Sequence, residues 1–163
     1  MIQAGAAPVP DEVISCHAAH IVELTAFTES DGPVRRWIDA IATRHDVAHV
    51  APGRWWILSE ARLGAVTDGL DPKAVATVDL SSSRVAFRLR HPRWCDVIAK
   101  GCGIDLAGAA FVERSYAFTK LAHFDVLLRA RQAAGGCDLY VSRSYADSLG
   151  GWLKDALAEF EKA

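Results

Sequence analysis

Short segments with the two-residue periodicity of a β-strand recur along the chain, and this feature limits the folds that it can adopt. Residues 20–28 alternate in this way and are rich in β-branched side chains. Pro52-Gly53 and Gly135-Gly136 supply turn signals before later strands. The pattern predicts strands at residues 20–28, 54–58, 74–80, 84–90, 116–121, 124–131 and 137–142, with 116–121 and 124–131 either continuous or joined by a bend.

Segments with helical periodicity lie between these strands. Asp31 can cap the free N–H groups of a helix whose first turn contains Pro33. A second helix is predicted from Pro92 to just before Gly101, and a third over residues 145–160. The buried face of the first helix is predicted to consist of Val34, Trp37, Ile38 and Ile41.

This order of strands and helices predicts an α+β fold, in which small antiparallel sheet lobes carry helices on one face. Residues 61–70 are predicted to be weakly helical or irregular. Two prolines and many small residues predict an extended or loosely ordered arm at residues 1–16. The rest of the chain, residues 17–163, is predicted to be a single domain with two lobes, at about 17–72 and 73–163.

Composition and charge exclude several classes of protein. The apolar content is too high for a disordered chain. A formal net charge of −2 gives no electrostatic support for nucleic-acid binding. We also expect no signal peptide and no membrane span, because residues 1–10 lack a basic cluster and no apolar run approaches the roughly 20 residues that a span requires. The cysteines fit neither a metal box nor a disulfide framework, which favours a reducing cytoplasm; they are Cys16, Cys95, Cys102 and Cys137.

The sharpest metal-like motif runs from His45 to His49 and reads HDVAH, with Asp where the HExxH zinc signature has Glu. On a helix, the two imidazoles would share one face. The motif precedes Pro52-Gly53, however, and no third ligand motif follows it. We therefore interpret it as a solvated loop and predict no metal-binding residue.

No motif for catalysis or cofactor binding is recognisable. The sequence contains no G-x-S-x-G elbow, no G-x-G-x-x-G after a strand and no Walker lysine. Cys102 lies between two glycines that a helix-ending turn explains. Asp79, Asp96 and Asp125 are most simply surface charges or members of ion pairs. We predict no catalytic and no cofactor-binding residue in this chain.

The most concentrated charge stripe lies in the strand at residues 84–90. Its alternation directs Arg84, Arg88 and Arg90 to one face. A solvated face, neutralised by Asp125 on a neighbouring strand, would explain these arginines. They also suit a docking surface, because a guanidinium binds carboxylates bidentately. We predict that Arg84, Arg88 and Arg90 contribute to a partner interface.

Several longer strings are specific enough to indicate a family. Residues 97–106 read VIAKGCGIDL, residues 118–128 read FTKLAHFDVLL, and residues 138–146 read DLYVSRSYA. Residues 79–81 with Arg84 fit the same pattern, as do IVELT at 21–25 and PGRWW at 52–56. In these strings the chain resembles the gamma subunit of heterotetrameric sarcosine oxidase, over about residues 20–160. That family is itself similar to part of the folate-binding domain of the glycine-cleavage aminomethyltransferase.

The resemblance implies a non-catalytic, cytoplasmic subunit that assembles with alpha, beta and delta chains. Such complexes demethylate sarcosine, reduce flavin, pass electrons to oxygen and deliver the one-carbon unit to tetrahydrofolate. The resemblance places FAD, FMN, NAD and the folate site on the larger chains and zinc on the delta chain, and it implies no cofactor in this one.

The chain departs from the family at His91-Pro92, where Gly-Pro is usual, and at Gly150-Gly151, where an aromatic residue is usual. These departures suggest a diverged complex, whose substrate could be N-methylglutamate or dimethylglycine. The alternative hypothesis is a stand-alone folate-dependent aminomethyltransferase-like protein, although 163 residues supply only part of such a protein. A stand-alone small-molecule binding module has no convergent polar set to support it.

Overall fold

The computed structural model describes residues 13–27, 32–64, 66–106, 111 and 115–160. The chain forms two compact units. The four-stranded unit is Ala18–Arg84, and the five-stranded unit combines Met1–His17 with Val85–Ala163. Along the chain, the four-stranded unit is therefore an insertion between two parts of the five-stranded unit.

Strands predominate over helices. The strands are β1 (Ile14–Ala18), β2 (His20–Ala26), β3 (Asp46–Ala51), β4 (Arg54–Ser59), β5 (Val75–Asp79), β6 (Arg84–Arg90), β7 (Tyr116–Leu121), β8 (Phe124–Arg131) and β9 (Gly136–Ser142). The helices are α1 (Gly32–Ala42), α2 (Trp94–Ala99) and α3 (Ala146–Ala158), and 3₁₀ turns occupy Gln132–Ala134 and Arg143–Tyr145. The predicted α+β class with antiparallel sheets is confirmed.

The sheet of the four-stranded unit has the order β3-β4-β2-β5, with antiparallel neighbours throughout. Val34 and Ile38 of α1 pack with Leu24 and Val75 of the sheet, because the apolar residues of α1 recur at helical spacing. The first and last strands of this unit, β2 and β5, are neighbours. Just beyond β5, the N–H of Leu80 donates to the carbonyl of Ile21 at 2.9 Å.

The sheet of the five-stranded unit has the order β1-β6-β9-β8-β7. Side chains from α2 and α3 pack on one face of this sheet and form its main core with the strands. β9 approaches β6 so closely at Gly136 that an added Cβ would overlap the carbonyl oxygen of Leu89. Glycine is therefore required at position 136.

Several elements differ from the sequence prediction. The arm expected at residues 1–16 lies outside the described residues up to residue 12, and its end belongs to β1. Residues 45–49, interpreted above as a solvated loop, lie mainly in β3, which begins at Asp46. Residues 61–70 contain turns and no helix among those that are described. The predicted cap Asp31 lies outside the described residues.

β7 and β8 form a hairpin, which settles whether residues 116–131 are continuous or bent. Leu121 pairs with Phe124, so that Ala122 and His123 make the turn. Ala122 adopts a φ of 53°, in the left-handed region that favours glycine. Its N–H donates to the carbonyl of Gly101 at 2.7 Å. A contact outside the hairpin therefore helps to hold Ala122 in this conformation.

Candidate interaction site

The alternation predicted for β6 is present in the structure. Val85, Phe87 and Leu89 are buried in the main core of the five-stranded unit. Arg88 and Arg90 alternate with them along the strand, as strand geometry requires. The sequence therefore identified the core positions of β6 correctly.

Asp138 lies at the centre of a cluster of arginines. It belongs to β9, which lies between β6 and β8 in the sheet, so that guanidinium groups can reach its carboxylate from both neighbouring strands. From β6, Arg88 donates through Nε to Oδ1 at 2.8 Å and through Nη2 to Oδ2 at 3.3 Å. From β8, Arg131 donates through Nη1 to Oδ2 at 2.9 Å, and Nη1 of Arg129 lies 3.8 Å from the same oxygen.

The Asp138 carboxylate is fully buried, whereas the surrounding arginine side chains retain some exposure. Burial raises the pKa of the Asp138 carboxyl, and the guanidiniums of Arg131 and Arg129 hold that rise back. A bidentate guanidinium is well suited to a buried carboxylate, because it satisfies both oxygens in a fixed geometry. Arg88 thus has a structural role in this cluster.

The three arginines proposed from the sequence occupy different environments. Arg84 is partly buried, with its guanidinium carbon 5.1 Å from the centre of the Trp56 ring. Arg88 is partly buried and bound to Asp138, and Arg90 is exposed. Asp125, suggested above as their counter-charge, instead forms an exposed ion pair in which Nζ of Lys120 lies 2.7 Å from Oδ1. The assignment of a partner interface to these residues stays a prediction, and Arg90 is its most accessible member.

A groove of about 420 Å³ runs beside α3 in the five-stranded unit. An added Cβ at Gly150 would lie 3.3 Å from Cε1 of Phe87, so the aromatic ring restricts this position. At Gly151, by contrast, an added Cβ would meet no atom of the described residues within 4 Å apart from its chain neighbours and the nearby backbone of α3 itself. The groove is lined by Ile14, Cys16, Phe87, Ala146, Asp147, Gly150, Gly151 and Lys154.

A second surface feature lies at the end of β5. The N–H of Ser81 donates to Oδ1 of Asp79 at 2.8 Å. The hydroxyl and the N–H of Ser81, followed by the smaller effects of Arg62 and His20, lower the pKa of the Asp79 carboxyl. These side chains line a cavity of about 380 Å³ with Val22, Leu63 and Gly64. Asp79 is exposed, so the interactions turn the chain after β5 but create no desolvated site.

The metal-like histidine motif lies mainly on a strand. β3 begins at Asp46, so His45 precedes the strand and His49 is within it. The two imidazoles therefore do not share a helical face as in the zinc signature. In the part of the chain that the structure describes, no group of three or more His, Cys, Asp or Glu side chains could hold a metal ion.

All the cysteines are free thiols. Burial raises the pKa of the Cys137 thiol well above its ordinary value, and the nearby Asp138 charge adds to this effect. Burial, followed by the charge of Asp96, also raises the pKa of Cys95. Sγ of Cys102 lies 3.8 Å from the Thr119 hydroxyl. Raised pKa values keep Cys95 and Cys137 in the thiol form at neutral pH, which opposes a nucleophilic role for them.

No protein-family profile and no curated protein sequence matches the chain. Among solved structures, the chain is similar to a chain of the heterotetrameric sarcosine oxidase from Corynebacterium sp. U-96, solved in complex with pyrrole 2-carboxylate. The TM-score is 0.76 and the identity 21%, over 95% of this chain and 89% of that one. The chain therefore has a sarcosine-oxidase-like fold, which confirms the resemblance at the level of the fold.

An aspartate kinase from Clostridium acetobutylicum also aligns, with a TM-score of 0.48 and 7% identity over 88% of this chain and 34% of that one. A similarity at this level supports no functional argument.

No helix in the described residues is long and apolar enough to cross a membrane.

Proposed function

We propose that this chain is the non-catalytic, gamma-type subunit of a heterotetrameric complex of the sarcosine oxidase type. The observation that carries the proposal is the mutual coverage of the structural similarity, 95% of this chain and 89% of the other. Because most of each chain takes part in the similarity, it supports the proposal that this chain is the counterpart of one subunit of such a heterotetramer.

In this proposal, alpha, beta and delta chains are the partners, and the complex is cytoplasmic. The larger chains hold FAD, FMN and NAD, the delta chain holds zinc, and the complex oxidatively demethylates sarcosine and transfers the one-carbon unit to tetrahydrofolate. This chain contributes contacts rather than chemistry. The raised pKa values of the Cys95 and Cys137 thiols, which disfavour a reactive thiolate, fit that role.

We place the docking surface for a larger chain on the arginine face of β6, with Arg90 as its accessible contact. Arginine is enriched in interfaces because its guanidinium binds carboxylates in a fixed planar geometry. The hydrogen bonds of Asp138 support this placement. Arg88 of β6 and Arg131 of β8 both donate to its buried carboxylate, and these bonds hold the backbone of β6 in a fixed position beside β9. In this proposal, Arg84 and Arg88 contribute indirectly, because their contacts with Trp56 and Asp138 stabilise the strand that presents Arg90.

Co-purification tests the proposed function. A tagged copy of the chain, expressed in its native host, should recover three further chains in stable ratio and a yellow eluate that contains flavin. The same tagged chain produced without partners is the control and should be colourless. Recovery of the chain without partners at low salt, from cells that oxidise N-methyl amines, would contradict the proposal.

The recovered complex also identifies the substrate. We expect oxidation of sarcosine, coupled to one-carbon transfer to tetrahydrofolate. Faster oxidation of N-methylglutamate or dimethylglycine would instead assign the chain to a related complex. Tetrahydrofolate binding and aminomethyl transfer by the partner-free chain would favour the stand-alone transferase over a structural subunit.

A further inference from the structure

We draw no further inference here: the strongest candidate, the groove of about 420 Å³ beside α3 at Gly150 and Gly151, is an open surface feature of the five-stranded unit, and nothing in the structure shows what covers it.

Discussion

At the scale of single residues, two arginines on the same strand are expected to respond very differently to the same substitution. Arg88 donates two hydrogen bonds to a carboxylate that is fully buried, whereas Arg90 is exposed. Removing one partner of a buried charge costs far more stability than removing one at the surface, because water cannot replace the lost partner of the charge that stays buried.

We predict that Arg88→Glu lowers the free energy of unfolding by about 3 kcal/mol, since it removes a bidentate donor and puts a second carboxylate beside Asp138. Arg90→Glu is the matched control and should change it by less than about 0.5 kcal/mol. Urea denaturation of the partner-free chain measures both. Equal losses in the two variants would show that the Asp138 cluster is not a stabilising element.

A second residue-scale prediction concerns pH. Because hydrogen bonds from Ser81 lower the pKa of Asp79 in the folded chain, the stability that they contribute is present above pH 3.8 and is lost as the pH falls through the folded pKa. Ser81→Ala removes the hydroxyl and should move the pKa of Asp79 back towards 3.8. NMR titration of the Asp79 carboxyl measures the change.

Ser83→Ala is the control for this titration, because the Ser83 hydroxyl donates to the carbonyl of Leu80 in the same turn. It should leave the pKa of Asp79 unaltered. If both variants raise that pKa equally, the whole turn, and not the Ser81 hydroxyl, sets the acidity of Asp79.

The sequence predicted which residues of β6 face the core, but not which carboxylate meets its arginines. Asp125 and Asp138 both lie within predicted strands and offer the same chemistry. The choice between them depends on β9 lying between β6 and β8, which is a long-range pairing. Two-residue periodicity reports the two faces of a strand and contains no information about its neighbours.

At the scale of elements, two neighbouring glycines of α3 allow its packing to be tested. Gly150 and Gly151 are adjacent in the helix, and glycine in a helix interior costs about 1 kcal/mol relative to alanine. The ring of Phe87 restricts an added Cβ at position 150, whereas position 151 is open.

We therefore predict that Gly151→Ala raises the free energy of unfolding by about 1 kcal/mol, a gain of roughly 2–4 °C in Tm for a chain of this size. Gly150→Ala should gain clearly less, because the Phe87 ring must move by a few tenths of an ångström. Thermal denaturation of both variants is the measurement. A gain at position 150 that equals or exceeds the gain at 151 would be inconsistent with this packing.

Prediction of elements succeeded where local periodicity was strong and failed where tertiary contacts decide. The three helices, β2 and the strands from β4 to β9 agree with the sequence prediction, because each has a clear apolar face. β3 differs from the prediction because its sequence, DVAHVA, does not alternate between apolar and polar residues, and because it is an edge strand that pairs with β4 in the sheet that the structure describes. The turn at Ala122 was ambiguous because it contains neither glycine nor asparagine, and a hydrogen bond to Gly101 helps to fix it.

At the scale of the whole molecule, the proposed docking surface can be tested with a variant that preserves the fold. We predict that Arg90→Glu reduces recovery of the partner chains about tenfold, which corresponds to ~1.4 kcal/mol, because it replaces a cation of the proposed interface by an anion. Pull-down at moderate salt measures the recovery, and the Tm of the isolated variant verifies the fold.

Arg35→Glu is the matched control, since Arg35 carries the same charge on the exposed side of α1, 3.4 Å from Asp39. It should leave partner recovery unaltered. If Arg90→Glu and Arg35→Glu recover the same amount of partner, the arginine face of β6 is a solvated surface and docking occurs elsewhere.

The insertion of the four-stranded unit between β1 and β6 has a consequence for the order of folding. β1 and β6 are neighbours in one sheet, although residues 19–83 separate them, and closing a flexible loop of that length costs about 4 kcal/mol of chain entropy. Because β2 and β5 are adjacent, prior folding of the inserted unit would bring its two ends together and remove most of that cost. During synthesis, β1 is made before the insertion and β6 after it, so that folding of the inserted unit would precede the pairing of β1 with β6.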